Sequence, residues 1–100
     1  MLEAAQAAVS FMEGENRESL DKDLKLTFAV TRAIGIVGEA ASKVSNELRD
    51  QMPQIPWSAI VGMRNILIHA YFDVELDEVW DTVTTDLPPL IVEIEKMVNE

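Results

Sequence analysis

Apolar residues recur at intervals of three and four along almost the whole 100-residue chain, a spacing that fits amphipathic α-helices and little else. Leu2, Ala5, Val9 and Met12 form the first such series, ending near Gly14. It starts at residue 1 with no capping residue before it, so part of this helix is expected to be missing. The polar stretch GENRESLDKD is expected to be a loop with room for one helical turn. From Leu24 to about Leu48 the positions Leu24, Phe28, Ile34, Val37, Ala41, Val44 and Leu48 drift around one long helix. Gly35 and Gly38 lie inside it, each less favourable than alanine by up to about 1 kcal/mol. Their presence predicts close approach of another helix.

Pro53 and Pro56 interrupt the pattern, and QMPQIP reads as a connector because each proline restricts the residue before it. A third helix is expected over Trp57–Ala70. Asp73 or Asp77 could cap a fourth over Glu78–Val83, with Val79 and Trp80 buried. Asp86 is placed to cap the last helix. Pro88 and Pro89 then fall in its first turn, where a missing amide matters least, and Leu90, Ile91, Ile94 and Met97 form its apolar side. The reading is all-α: one domain over residues 1–100, an up-and-down bundle of four to five helices with the last helix broken at Asp86–Pro89.

Composition narrows the function. With no cysteine, disulfides and thiolate metal sites are excluded, which suits a reducing cytoplasm. No apolar run is long enough for a bilayer, and MLEAAQAAVSF lacks the basic start of a secretory signal. Eight Lys+Arg against eighteen Asp+Glu give a formal net charge of −10. Such a surface opposes phosphate backbones at long range and favours solubility or a partner with a basic patch, although a plain solvated surface needs no partner.

One stretch, GMRNILIHAYFDVELDEVW, holds the chain's single histidine and single tyrosine. At about 100° per residue, Ile60, Met63, Ile66, Leu67 and Ala70 share the core side of the third helix. Taking Arg64 as zero, Asn65 and His69 fall about 100° and 140° round, and Tyr71 returns to within about 20° of Arg64. The guanidinium fork suits a phosphate or carboxylate. Asn65 can orient an imidazole, and His69 alone has an ordinary pKa near neutrality. Val61 and Ile68 also lie on this second side, with Trp57 near it, which points to a second packing partner such as another subunit. Read from spacing alone, ordinary helix-end roles account for these residues better than a site does: a histidine near terminal carbonyls, a rim tyrosine, an arginine paired with an acid. One histidine with scattered carboxylates gives no zinc pattern, and no calcium-loop spacing occurs. The glycines of GIVGEAAS are not preceded by a strand, so no dinucleotide fingerprint is read there. No metal and no cofactor is expected.

The blocks IPWSAIVGMRNILIHAYFDVELDEVWDTVTTDLPPL and AVTRAIGIVGEAASKVSNELR, and more loosely MLEAAQAAVSFMEG, resemble the HepT-like family of HEPN-domain proteins. The likeness covers nearly the whole chain and outweighs the ordinary reading of the three residues. It implies an all-helical homodimer acting as the toxin of a type VII toxin–antitoxin pair, partnered by an MntA-type nucleotidyltransferase. It further implies metal-independent endoribonuclease activity, with Arg64 and His69 of the Arg-x4-His-x-Tyr motif as catalytic residues and Asn65 as their polar neighbour. Tyr71 matches the tyrosine to which the antitoxin transfers adenylyl groups from ATP. The extra, partly basic residues that family members carry before the first helix are not seen here.

Three functions follow: an RNA-cleaving toxin, a catalytically silent helical partner of the nucleotidyltransferase, and a structural helical dimer. The expected dimer rests on the resemblance, on Val61 and Ile68, and on the small-residue face at Gly35 and Gly38.

Overall fold

The computed structural model describes residues 1–65 and 76–98, with side chains through Lys96. Among these residues all regular structure is helical, as the apolar spacing requires. Helix α1 (Leu2–Phe11) buries Ala5 and Ala8 completely, and these two small side chains let it lie close along α3. Gly14 then turns the chain with φ +75, a left-handed conformation that glycine adopts at no steric cost.

The polar stretch after Gly14 is more ordered than the expected loop. It forms α2 (Arg17–Lys22), started by a reciprocal cap: Asn16 Oδ1 accepts the Ser19 amide at 3.1 Å, and the Asn16 amide donates to Ser19 Oγ at 3.2 Å. That pair satisfies two amides that helix starts leave without partners. The cap fixes where α2 begins, and buried Leu20 anchors it to the core.

Asp23 accepts the Leu26 amide at 3.1 Å and opens α3 (Leu24–Ser42). Its buried face carries Val30, Ala33, Ile34, Val37 and Ala41, but two of the apolar positions expected there are outside. Leu24 is 65% exposed and Phe28 49%, while Thr27 and Thr31 are buried at 3% and 2%. The threonines tolerate this because their hydroxyls find carbonyls. Thr27 donates to Leu20 O at 2.7 Å, and Thr31 to Thr27 O at 2.8 Å. A buried hydroxyl so bonded loses little by leaving water.

The long helix does not reach Leu48. It ends at Ser42, and Ser45 caps a separate α4 (Asn46–Gln51) by accepting the Leu48 amide at 3.2 Å. Likewise the third helix is interrupted: α5 (Trp57–Gly62) stops at Met63, and helical backbone resumes at Arg64 and Asn65. The rest of the expected span to Ala70, and Asp73 as a cap, lie outside the described residues.

Helix α6 (Leu76–Asp81) includes Asp77 in its first turn. Asp77 accepts from Arg17 Nε at 2.8 Å, and Asp21 accepts from Arg17 Nη1 at 3.2 Å. The guanidinium thereby joins α2 to α6, and the Asp77 hydrogen bond is the main cause of its raised pKa.

Asp86 caps nothing. It closes a π-helical turn, Thr82–Asp86, that runs without a gap into α7 (Leu87–Val98). The Leu87 amide donates to Thr82 O, five residues back. Prolines 88 and 89 have no amides for the carbonyls of residues 84 and 85, and a tight α-turn would press their rings against those carbonyls. The wider turn relieves both problems, so the expected break is a change of helical register. Helix α7 packs on α1 and on the π-turn, and α2 packs on α3 and α6. Ile34, Val37, Ile60, Val79 and Leu87 are the buried centre.

Candidate active site

Helix α5 carries the chain toward Arg64, and its start is held by the connector before it. The Trp57 indole donates to Met52 O at 3.1 Å, and the Arg49 guanidinium lies 5.8 Å over the Trp57 ring. Arg49 Nη2 also donates to Ala41 O at 2.9 Å, near the end of α3. Arg49 Nε is buried without a partner among the described residues, so the cation–π contact is the compensation available on that side. Arg49 and Trp57 thus clamp α4 and α5 to the end of α3. Trp57 itself is only 9% exposed, while Val61 is half-buried against the core; Ile68, named with them, lies outside the described residues.

At the far end of α5 the packing is tighter. A Cβ on Gly38 would lie 2.5 Å from the Arg64 amide nitrogen, 2.9 Å from Arg64 Cγ and 3.0 Å from the Met63 carbonyl carbon. The close approach expected at Gly38 is therefore made, and it is made within the chain, by the backbone that bears Arg64. The buried glycine is not part of a small-residue face left open for another subunit. Met63, at 7% exposure, plugs into the core, while Arg64 and Asn65 project from it, both exposed. A guanidinium fixed at its backbone and exposed, with no ion pair among the described residues, suits an anionic ligand. His69 and Tyr71 lie outside the described residues.

Beside α5 there is a cleft of about 690 Å³, between the connector and α5 on one side and α6, the π-turn and α7 on the other. It arises where two non-adjacent stretches diverge, which no local residue spacing marks.

The family described as "Ribonuclease HepT-like" matches residues 1–97. The chain belongs to this family. A protein of Thermococcus cleftensis named a probable ribonuclease HepT is 39% identical over 100 residues, covering 96% of this chain and 91% of its own length. A Methanocaldococcus jannaschii protein provisionally named an RNase is 35% identical over 95 residues, 95% of this chain and 87% of that protein. Another provisionally named RNase, from Caldanaerobacter subterraneus, is 35% identical over the whole chain and 86% of its own length. No solved structure matches the chain significantly. The all-helical fold agrees with HepT-like membership, and no described helix is long and apolar enough to cross a membrane.

Proposed function

We propose that the chain is a metal-independent endoribonuclease, the toxin of a type VII toxin–antitoxin pair acting in the cytoplasm. The observation that carries this reading is family membership over residues 1–97, joined to an exposed Arg64 and Asn65 at the start of the Arg-x4-His-x-Tyr motif. In the reaction a ribose 2′-oxygen attacks the adjacent phosphorus and the bond from phosphorus to the 5′-oxygen breaks. The products are a 2′,3′-cyclic phosphate and a 5′-hydroxyl. His69 takes the proton from the 2′-hydroxyl or supplies one to the leaving oxygen, a task that needs a pKa near neutrality. Arg64 meets the charge that grows on the phosphate oxygens, and Asn65 orients the neighbouring groups.

One histidine per chain serves one proton transfer at a time, so a homodimer that brings two copies into one cleft completes the acid–base pair. The exposed row on α3 supports such a dimer: Leu24, Phe28 and Ile36 lie at helical spacing around exposed Arg32. Control is exerted by an MntA-type nucleotidyltransferase that adenylylates Tyr71, placing bulk and negative charge in the RNA phosphate site.

The reading is tested by incubating purified protein with single-stranded RNA in EDTA. Cleavage by the native chain and its loss in Arg64→Ala, with the helical spectrum retained, is the expected result. Cleavage that needs a divalent cation would overturn it. A second reading, a catalytically silent partner of the nucleotidyltransferase, draws on the net charge of −10. It is favoured if the pure chain cuts no RNA in a broad panel yet binds the transferase tightly.

A further inference from the structure

The cleft between α5 and the α6–α7 arm has a two-part lining. Its floor is apolar: Ile60, Met63 and Leu90 reach it from the core, and exposed Ala59, Pro56 and Pro89 form its shoulders. Among the described residues four carboxylates, Glu78, Asp81, Asp86 and Glu93, stand around that floor, and no lysine or arginine lines it. Glu93 has Lys96 at 3.4 Å. Among the described residues Glu78, Asp81 and Asp86 pair with no base. The small residues Ala59 and Gly62 keep the α5 wall low, and a Cβ at Gly62 would meet nothing within 4 Å. The π-turn contributes Thr85 and Asp86, so the change of register forced by Pro88 and Pro89 helps shape the opposite wall.

We infer that this cleft is a docking groove for a basic amphipathic helix of a partner protein. Charge complementarity selects the occupant. Leucine-like side chains fill the floor, while lysine or arginine at the flanking positions meets the carboxylates, whose like charges repel one another until a cation arrives. Nucleic acid is repelled by the same carboxylates. A small polyamine matches the charges but leaves the apolar floor in water. The inference does not depend on RNA cleavage and is read without RNA.

The test uses the full chain and a fluorescein-labelled helical peptide of leucine and lysine arranged with one apolar face. Fluorescence anisotropy should show saturable binding, weakened about tenfold by joint Asp81→Asn and Asp86→Asn, and by Ala59→Trp, which fills the floor. Joint Glu47→Gln and Asp50→Asn on α4 removes the same charge away from the groove and should leave binding intact. A scrambled peptide of equal composition should bind more weakly. Equal loss in the α4 control, equal binding of the scrambled peptide, or displacement by spermidine together with no effect of Ala59→Trp would overturn the inference.

Discussion

Gly38 of α3 and Arg64 beyond α5 are in backbone contact, with room between them for a hydrogen and not for a methyl group: a Cβ at Gly38 would lie 2.5 Å from the Arg64 amide nitrogen. The exposed arginine is therefore seated on the buried core through its own backbone. Gly38→Ala gains helix propensity, worth up to about 1 kcal/mol, yet must push apart two segments. Overpacking of that kind typically costs about 1–3 kcal/mol. Urea denaturation should place the variant below the native chain in stability, and its RNA cleavage should fall further than the lost stability explains. Unchanged stability and cleavage would show that α5 shifts freely.

The tip of Arg64 matters through its geometry as well as its charge. Arg64→Lys keeps the charge but lacks the planar fork. It should retain the fold and lose most cleavage, by about tenfold or more if one charge-assisted phosphate contact is lost. Native-like rates for the lysine variant would reduce the role of Arg64 to general electrostatics.

The sequence made the helical class, the anchoring of the last helix by Leu90 and Ile94, and the close approach at Gly38 legible. The reason is physical: apolar spacing and glycine placement are local marks of burial and contact. Legibility failed at three kinds of place. Leu24 and Phe28 looked like core because periodicity ranks threonine as polar, whereas Thr27 and Thr31 are buried by donating to carbonyls within reach. The separate α4 rests on a cap at Ser45 that apolar periodicity does not register, whereas α2, capped by Asn16, lengthens the single helical turn expected there. The cleft was invisible since no local pattern encodes the divergence of two distant stretches. At the site itself, Arg64 and Asn65 are exposed as their spacing predicts, while their join to His69 and Tyr71 lies outside the described residues.

Thr27 offers a direct check on the buried-hydroxyl account. Thr27→Val keeps the shape and removes the donor to Leu20 O, held at 2.7 Å. The expected loss is about 1 kcal/mol, rising toward 3 if the carbonyl is left without any partner. Thermal or urea unfolding measures it. A variant at least as stable as the native chain would mean that the α2–α3 junction does not need this bond.

Dimerisation is expected through the exposed α3 row. Sedimentation equilibrium at micromolar concentration should return twice 11.2 kDa. Phe28→Lys, at a position already 49% exposed in the single chain, should leave the helical content unchanged and shift the protein toward monomer with reduced cleavage. A dimer undisturbed by Phe28→Lys would place the interface elsewhere.

Tyr71 is expected to be the point of control. Incubation with the nucleotidyltransferase, ATP and magnesium should add mass in AMP units and suppress cleavage, and Tyr71→Phe should abolish the addition. Peptide mass spectrometry separates this from modification at another residue, which would leave Tyr71→Phe labelled.

The most direct measurement on the central claim is mass spectrometry of the RNA ends left by the native chain and by His69→Ala in EDTA. The native protein should leave 2′,3′-cyclic phosphate and 5′-hydroxyl ends, and a folded His69→Ala chain should leave the RNA intact. Native-level cleavage by His69→Ala, or 3′-hydroxyl ends from the native protein, would contradict it.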